Sequence, residues 1–156
     1  RQGIAGGRFA DGQFAAQGGL RRPLRGELQL KTLLTLEAFI EIAAGAAAFV
    51  APLFAVSLLL GATLEGAAAI IVTRVTGAAL VTIGVMNWAG RSEPNGRAAK
   101  GIIAGMVFYN VAVVGLLIYA FFGAALAGIG LWPAVILHAG LAVWCVSATR
   151  VTRISG

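Results

Sequence analysis

Four long apolar stretches, Leu33 to Leu60, Gly66 to Ala89, Gly101 to Phe122 and Leu131 to Ala148, occupy nearly everything after residue 32. Each reaches or approaches the ~20 residues that an α-helix needs to cross a hydrocarbon core of about 30 Å. Lipid offers no water to satisfy backbone N–H and C=O groups, so a spanning segment is a helix or part of a closed barrel. Unbroken apolar runs lack a barrel's alternation. The expected fold is therefore all-α, an integral membrane four-helix bundle with spans at about 33–60, 66–89, 101–122 and 131–148. Its connections, Gly61 to Glu65, Arg91 to Arg97 and Gly123 to Gly130, are short enough to impose up-down-up-down order. A chain of 156 residues that is 59% hydrophobic has no room for a second folded domain.

The net charge of +6 is compatible with nucleic-acid binding until the basic residues are located. Arg1, Arg8, Arg21, Arg22, Arg25 and Lys31 precede the first span, Arg91, Arg97 and Lys100 cluster at the second connection, and Arg150 and Arg153 follow the fourth span. The first and third connections have none. This asymmetry marks the two sides of a membrane and predicts an N-in, C-in protein. No nucleic acid is expected as a partner; the bilayer is.

Residues 1–32 read as a basic, Gly-rich extramembrane tail, and residues 151–156 as a short C-terminal one. The first 30 residues share their Arg, Gly and Gln richness with organellar transit peptides, and a start at Arg1 fits either a processed product or a sequence that lacks its first residues. Anionic headgroups are the simplest partner for such a tail. If it is ordered, a protein neighbour orders it, because fixing its glycines is entropically costly. The membrane is then a bacterial inner membrane or an organellar one, thylakoid or mitochondrial inner.

Pro52, deep in the first run, predicts a kink, and Pro133 suits the first turn of the last helix. Trp88 and Trp132 stand at span ends, as interfacial aromatics do. The helix surfaces are smooth: Ala43 to Ala48 is a run of small residues, Thr73, Gly77 and Gly84 line one side of the second span, and Gly101 with Gly105 makes a G-x-x-x-G in the third. Lipid supplies no hydrophobic drive for helix association, so close backbone approach has to. These glycines serve packing inside the bundle or docking onto another subunit.

Intramembrane ionisable groups are costly enough to be functional candidates. Glu37 and Glu41, spaced i, i+4, share one face of the first span. Arg74 lies nearer the other membrane surface, so a Glu41–Arg74 ion pair requires a shifted or bent helix. His138 and Asn110 fall closer to the Arg74 level, which predicts a polar layer in which Arg74 donates to Asn110, Tyr109 or freed carbonyls. Such a layer fixes helix register or binds something. No nucleophile accompanies His138, and the single cysteine, Cys145, lies within the last apolar run, which excludes a disulfide framework or a thiolate metal site. The chain is not expected to be an enzyme.

Two resemblances bear on function. The segment Ala134-Val-Ile-Leu-His138, followed by Trp144, resembles the A-x-x-x-H of light-harvesting polypeptides. That resemblance implies that Ala134 lets a chlorophyll or bacteriochlorophyll ring lie against the helix while His138 ligates its magnesium. Those polypeptides cross the membrane once, and the match covers about eleven residues. A haem would want a second axial ligand, from another chain. The whole outline, a first-span glutamate, Arg74 before Gly77, Trp88 with Arg91, and Asn110, is similar to small DoxX-like membrane proteins, a family that implies a four-helix fold and little about activity.

Two functions follow as expectations. One is a non-catalytic accessory subunit of a larger photosynthetic or respiratory membrane complex, docking on other subunits through its small-residue faces, with pigment or lipid as ligands. The other is a small dimeric transporter in which Glu37 and Glu41 titrate and Arg74 recognises an anion.

Overall fold

Pro52 divides the first apolar stretch in two. The computed structural model describes the backbone of residues 8–154 and the side chains of residues 26–149, and every described element is helical. The helices are α1 (Arg8–Val50), α2 (Pro52–Leu60), α3 (Ala67–Gly90), α4 (Arg97–Ala124) and α5 (Leu131–Ile154). Proline has no N–H to give Ala48, so the ladder stops after the Ala51 N–H to Ala47 bond of 2.9 Å and resumes with Ala55 bonding Ala51 at 3.0 Å. The result is a break, with Ala51 at φ −127°, ψ 62°, where a kink was expected.

Four segments are long and apolar enough to cross a membrane: Gly26–Val50, Ala67–Gly90, Arg97–Ala124 and Leu131–Thr149. The first begins before Leu33 because Leu30, Leu33 and Leu34 continue one buried face straight through Lys31, whose charge does not interrupt a helix. The third begins before Gly101, the Lys100 N–H bonding Gly96 at 3.1 Å in its first turn. Residues 1–7, the first part of the expected tail, lie outside the described residues, and α1 is already helical from Arg8.

Helices α1 and α3 pack backbone to backbone. A Cβ added to Gly45 would come within 2.6 Å of the Gly77 carbonyl oxygen, one added to Gly77 within 2.6 Å of the Gly45 oxygen, and one added to Gly84 within 2.9 Å of the Ala38 oxygen. Only glycine permits that approach, so Gly77 and Gly84 pack within the chain. The α1, α4 and α5 side of the molecule packs through larger side chains instead. Leu30, Leu33 and Leu34 meet Ile103 and Met106 of α4 and Leu141 and Cys145 of α5.

At the far end Leu117, Leu131 and Val135 form a smaller cluster against α2. Gly61 caps α2 at φ 67°, and the Gly130 N–H bonds the Leu58 carbonyl at 2.8 Å, tying the α4–α5 connection to α2. The α3–α4 side is more open, and the face of α4 that carries Gly101 and Gly105 has nothing within 4 Å of either position.

Candidate functional site

The core between α1, α4 and α5 is polar at one level. Glu37, Glu41, Asn110 and His138 are all buried there among apolar side chains, and Asn87 is buried on the neighbouring α3. Helical spacing stacks Glu37 and Glu41 one turn apart on α1. Asn110 comes from α4, His138 and Cys145 from α5, and Asn87 from α3.

Asn110 is the hub. Its Nδ2 donates to Glu37 Oε1 at 3.1 Å and to the Met106 carbonyl at 2.9 Å, and its Oδ1 stands 2.7 Å from His138 Nδ1. With both amide hydrogens spent, Oδ1 can only accept, so His138 carries its proton on Nδ1. Rotating the amide by half a turn would put Oδ1 against the Glu37 oxygen and the Met106 carbonyl, acceptor on acceptor. The Cys145 thiol adds a longer contact to Glu37 Oε1 at 3.6 Å. A second link runs from the Tyr109 hydroxyl to Glu41 Oε2 at 3.0 Å, and the Tyr109 ring meets His138 edge-on at 5.7 Å.

Three oxygens in this core have no partner: Glu37 Oε2, Glu41 Oε1 and Asn87 Oδ1. No cation compensates the two carboxyl groups among the described residues, and none of the His, Cys, Asp and Glu side chains gather into a metal-binding group of three. Asn87 donates to Met106 Sδ at 3.5 Å. A strong acceptor left without a donor in a low-dielectric interior is costly.

Arg74 is not part of this layer. It is exposed on α3 and makes no hydrogen bond or ion pair with a described residue. The expected polar layer forms around the α1 acids, and the reason is register. The buried face of α1 is already in place at Leu30 and runs through Leu33, Leu34 and Glu37 to Glu41, so Glu37 stands deeper in the helix than a span begun at Leu33 implies, and it meets Asn110 of α4. Tyr109 pairs with Glu41, not with Arg74.

His138 of the A-x-x-x-H segment turns into the bundle, 9% exposed, its Nδ1 held by Asn110 and its ring edge-on to Tyr109, and Ala134 is half-buried against the Leu117–Leu131–Val135 cluster. At Gly101 and Gly105 an added Cβ would meet nothing within 4 Å among the described residues. They line an apolar groove of about 470 Å³ between α3 and α4, with Met106 and Tyr109 as its inner wall and Ile83, Met86 and Ile102 beside them.

Asn87 and Cys145 are the members that sequence reasoning missed. A primary amide one residue before Trp88 in an otherwise apolar run was the available signal for the first. Nothing in sequence distinguishes Cys145 from a small apolar core residue. The chain matches no protein-family model, and neither curated proteins nor solved structures proved similar to it.

Proposed function

We propose that this protein is a non-catalytic accessory subunit of a larger membrane assembly, of the photosynthetic or respiratory kind. It crosses the bilayer four times, up-down-up-down, with both termini on the inner side. The observation that carries the subunit role is the α3–α4 groove: apolar, open, and lined by Gly101 and Gly105, where an added Cβ would meet nothing within 4 Å among the described residues. A lipid-facing helix gains nothing from two unused glycines one turn apart, whereas a partner helix gains close backbone contact. The polar residues of the core are turned inward onto one another, as a network that sets the register of α1, α4 and α5 does.

The test is the size of the native particle. Mildly solubilised membranes are resolved by native electrophoresis, and the chain is followed as wild type and as Gly101→Leu/Gly105→Leu. Migration with a large particle that the double variant leaves supports the subunit role; migration of both near the mass of the free chain overturns it.

One observation favours a second reading, a small dimeric carrier. Glu37 and Glu41 each keep an oxygen without a donor and pair with no cation among the described residues, as proton- or cation-exchanging acids in transport proteins do. Arg74, exposed, is not available to that site as an anion receptor. Uptake into vesicles that Glu37→Gln and Glu41→Gln abolish, with particle mass unchanged, would favour the carrier.

A further inference from the structure

Lys31 of α1 and Arg91, the residue that caps α3, both line a recess of about 380 Å³ together with Thr32, Thr35, Leu36 and Phe39. Neither cation has an ion pair among the described residues, although Glu27 and Glu93 lie nearby in sequence. The guanidinium carbon of Arg91 sits 3.3 Å from the centroid of the Trp88 ring, and Trp88 meets Phe39 edge-on at 5.6 Å. The stack fixes the flat face of Arg91 and leaves its N–H edges free to donate.

The hydroxyls on the same wall are already committed. Thr32 donates to the Leu28 carbonyl and Thr35 to the Lys31 carbonyl, each at 2.8 Å. The anion-binding donors of the recess are therefore the two cations alone. Next to them Leu36 and Phe39, both exposed, extend an apolar wall further along α1. Positive charge at the mouth and an apolar wall leading away from it complement a molecule that is anionic at one end and aliphatic at the other.

We propose that this recess binds an anionic phospholipid, its phosphate between Lys31 and Arg91 and an acyl chain along Leu36 and Phe39. The site rests on the membrane reading above, which puts Lys31 and Arg91 at the inner, anionic headgroup level. A free phosphate would use the cations and leave the apolar wall idle.

The experiment uses the full chain in nanodiscs of phosphatidylcholine, with or without phosphatidylglycerol, and reads the melting temperature. The expected result is a rise of several degrees with phosphatidylglycerol, absent with inorganic phosphate, and lost in Lys31→Gln/Arg91→Gln but kept in Arg74→Gln. A rise that survives in the Lys31/Arg91 variant, or that inorganic phosphate reproduces, overturns the site. Because that variant removes the Trp88 stack and can lower stability by itself, a second reading uses intact Lys31 and Arg91. In Trp132→Phe/Trp144→Phe, brominated phosphatidylglycerol should quench Trp88 more than brominated phosphatidylcholine does, and equal quenching counts against the site. A chain that enters neither type of nanodisc overturns the membrane reading and the site with it.

Discussion

Asn110 Oδ1 lies 2.7 Å from His138 Nδ1, and that contact, with Asn110 Nδ2 donating to Glu37 and to the Met106 carbonyl, joins α1, α4 and α5 through one side chain. Asparagine alone supplies two donors and an acceptor in one plane at that length.

Replacing Asn110 by Leu removes all three bonds at once and leaves Glu37 and His138 without their main partner. Each abandoned buried group costs roughly 1–3 kcal/mol, so the variant should lose about 2–6 kcal/mol, read as the shift of an unfolding curve in mixed micelles. Tyr109→Phe, which cuts one bond to Glu41, should lose only about 1 kcal/mol. Equal losses in the two variants would contradict the hub.

The glycines divide into two sets with opposite behaviour. Gly77→Leu forces a side chain into the α1 backbone and should cost about 3 kcal/mol or more of stability in the isolated chain. Gly101→Leu meets open space, and as a better helix former should be neutral or stabilising by up to about 1 kcal/mol. Unfolding curves of the two single variants, purified alone, decide this.

Arg74 has no role in holding the bundle together. Arg74→Leu should change the stability of the purified chain by no more than about 0.5 kcal/mol, and a larger loss would mean that Arg74 reaches the core after all.

Cys145 is 1% exposed beneath the α1–α4–α5 contact. A membrane-permeant maleimide should leave it unmodified in the folded protein and react within minutes after denaturation, as followed by mass spectrometry. Labelling at the same rate in both states would show that the core opens readily.

The spans were legible because hydropathy is a local property: each run contains its own evidence, and Pro52 carries its own break. The site was legible only in its membership. Glu37, Glu41, Asn110 and His138 each stand out as polar groups in apolar runs, but which of them meet depends on how far each helix is offset along its neighbour. Between α1 and α3 that offset is set where Gly45, Gly77 and Gly84 let the backbones meet, and among α1, α4 and α5 by the packing of Leu33, Leu34, Ile103, Met106 and Leu141; no single-chain pattern reports either. A first span begun at Leu33 put Asn110 beside Arg74, when the buried face from Leu30 onward brings it to Glu37. Gly101 and Gly105 look the same in sequence as the packing glycines, and only the structure separates the face that is used from the face that is open.

The subunit role rests on the α3–α4 groove, and a photo-crosslinking residue at Gly105 in native membranes interrogates it, with the same residue at Gly115, also open but outside the groove, as the reference. A discrete protein adduct at position 105, with only lipid adducts at 115, is the expected result. Lipid adducts alone at both positions would mean that the groove faces the bilayer and that the protein acts by itself.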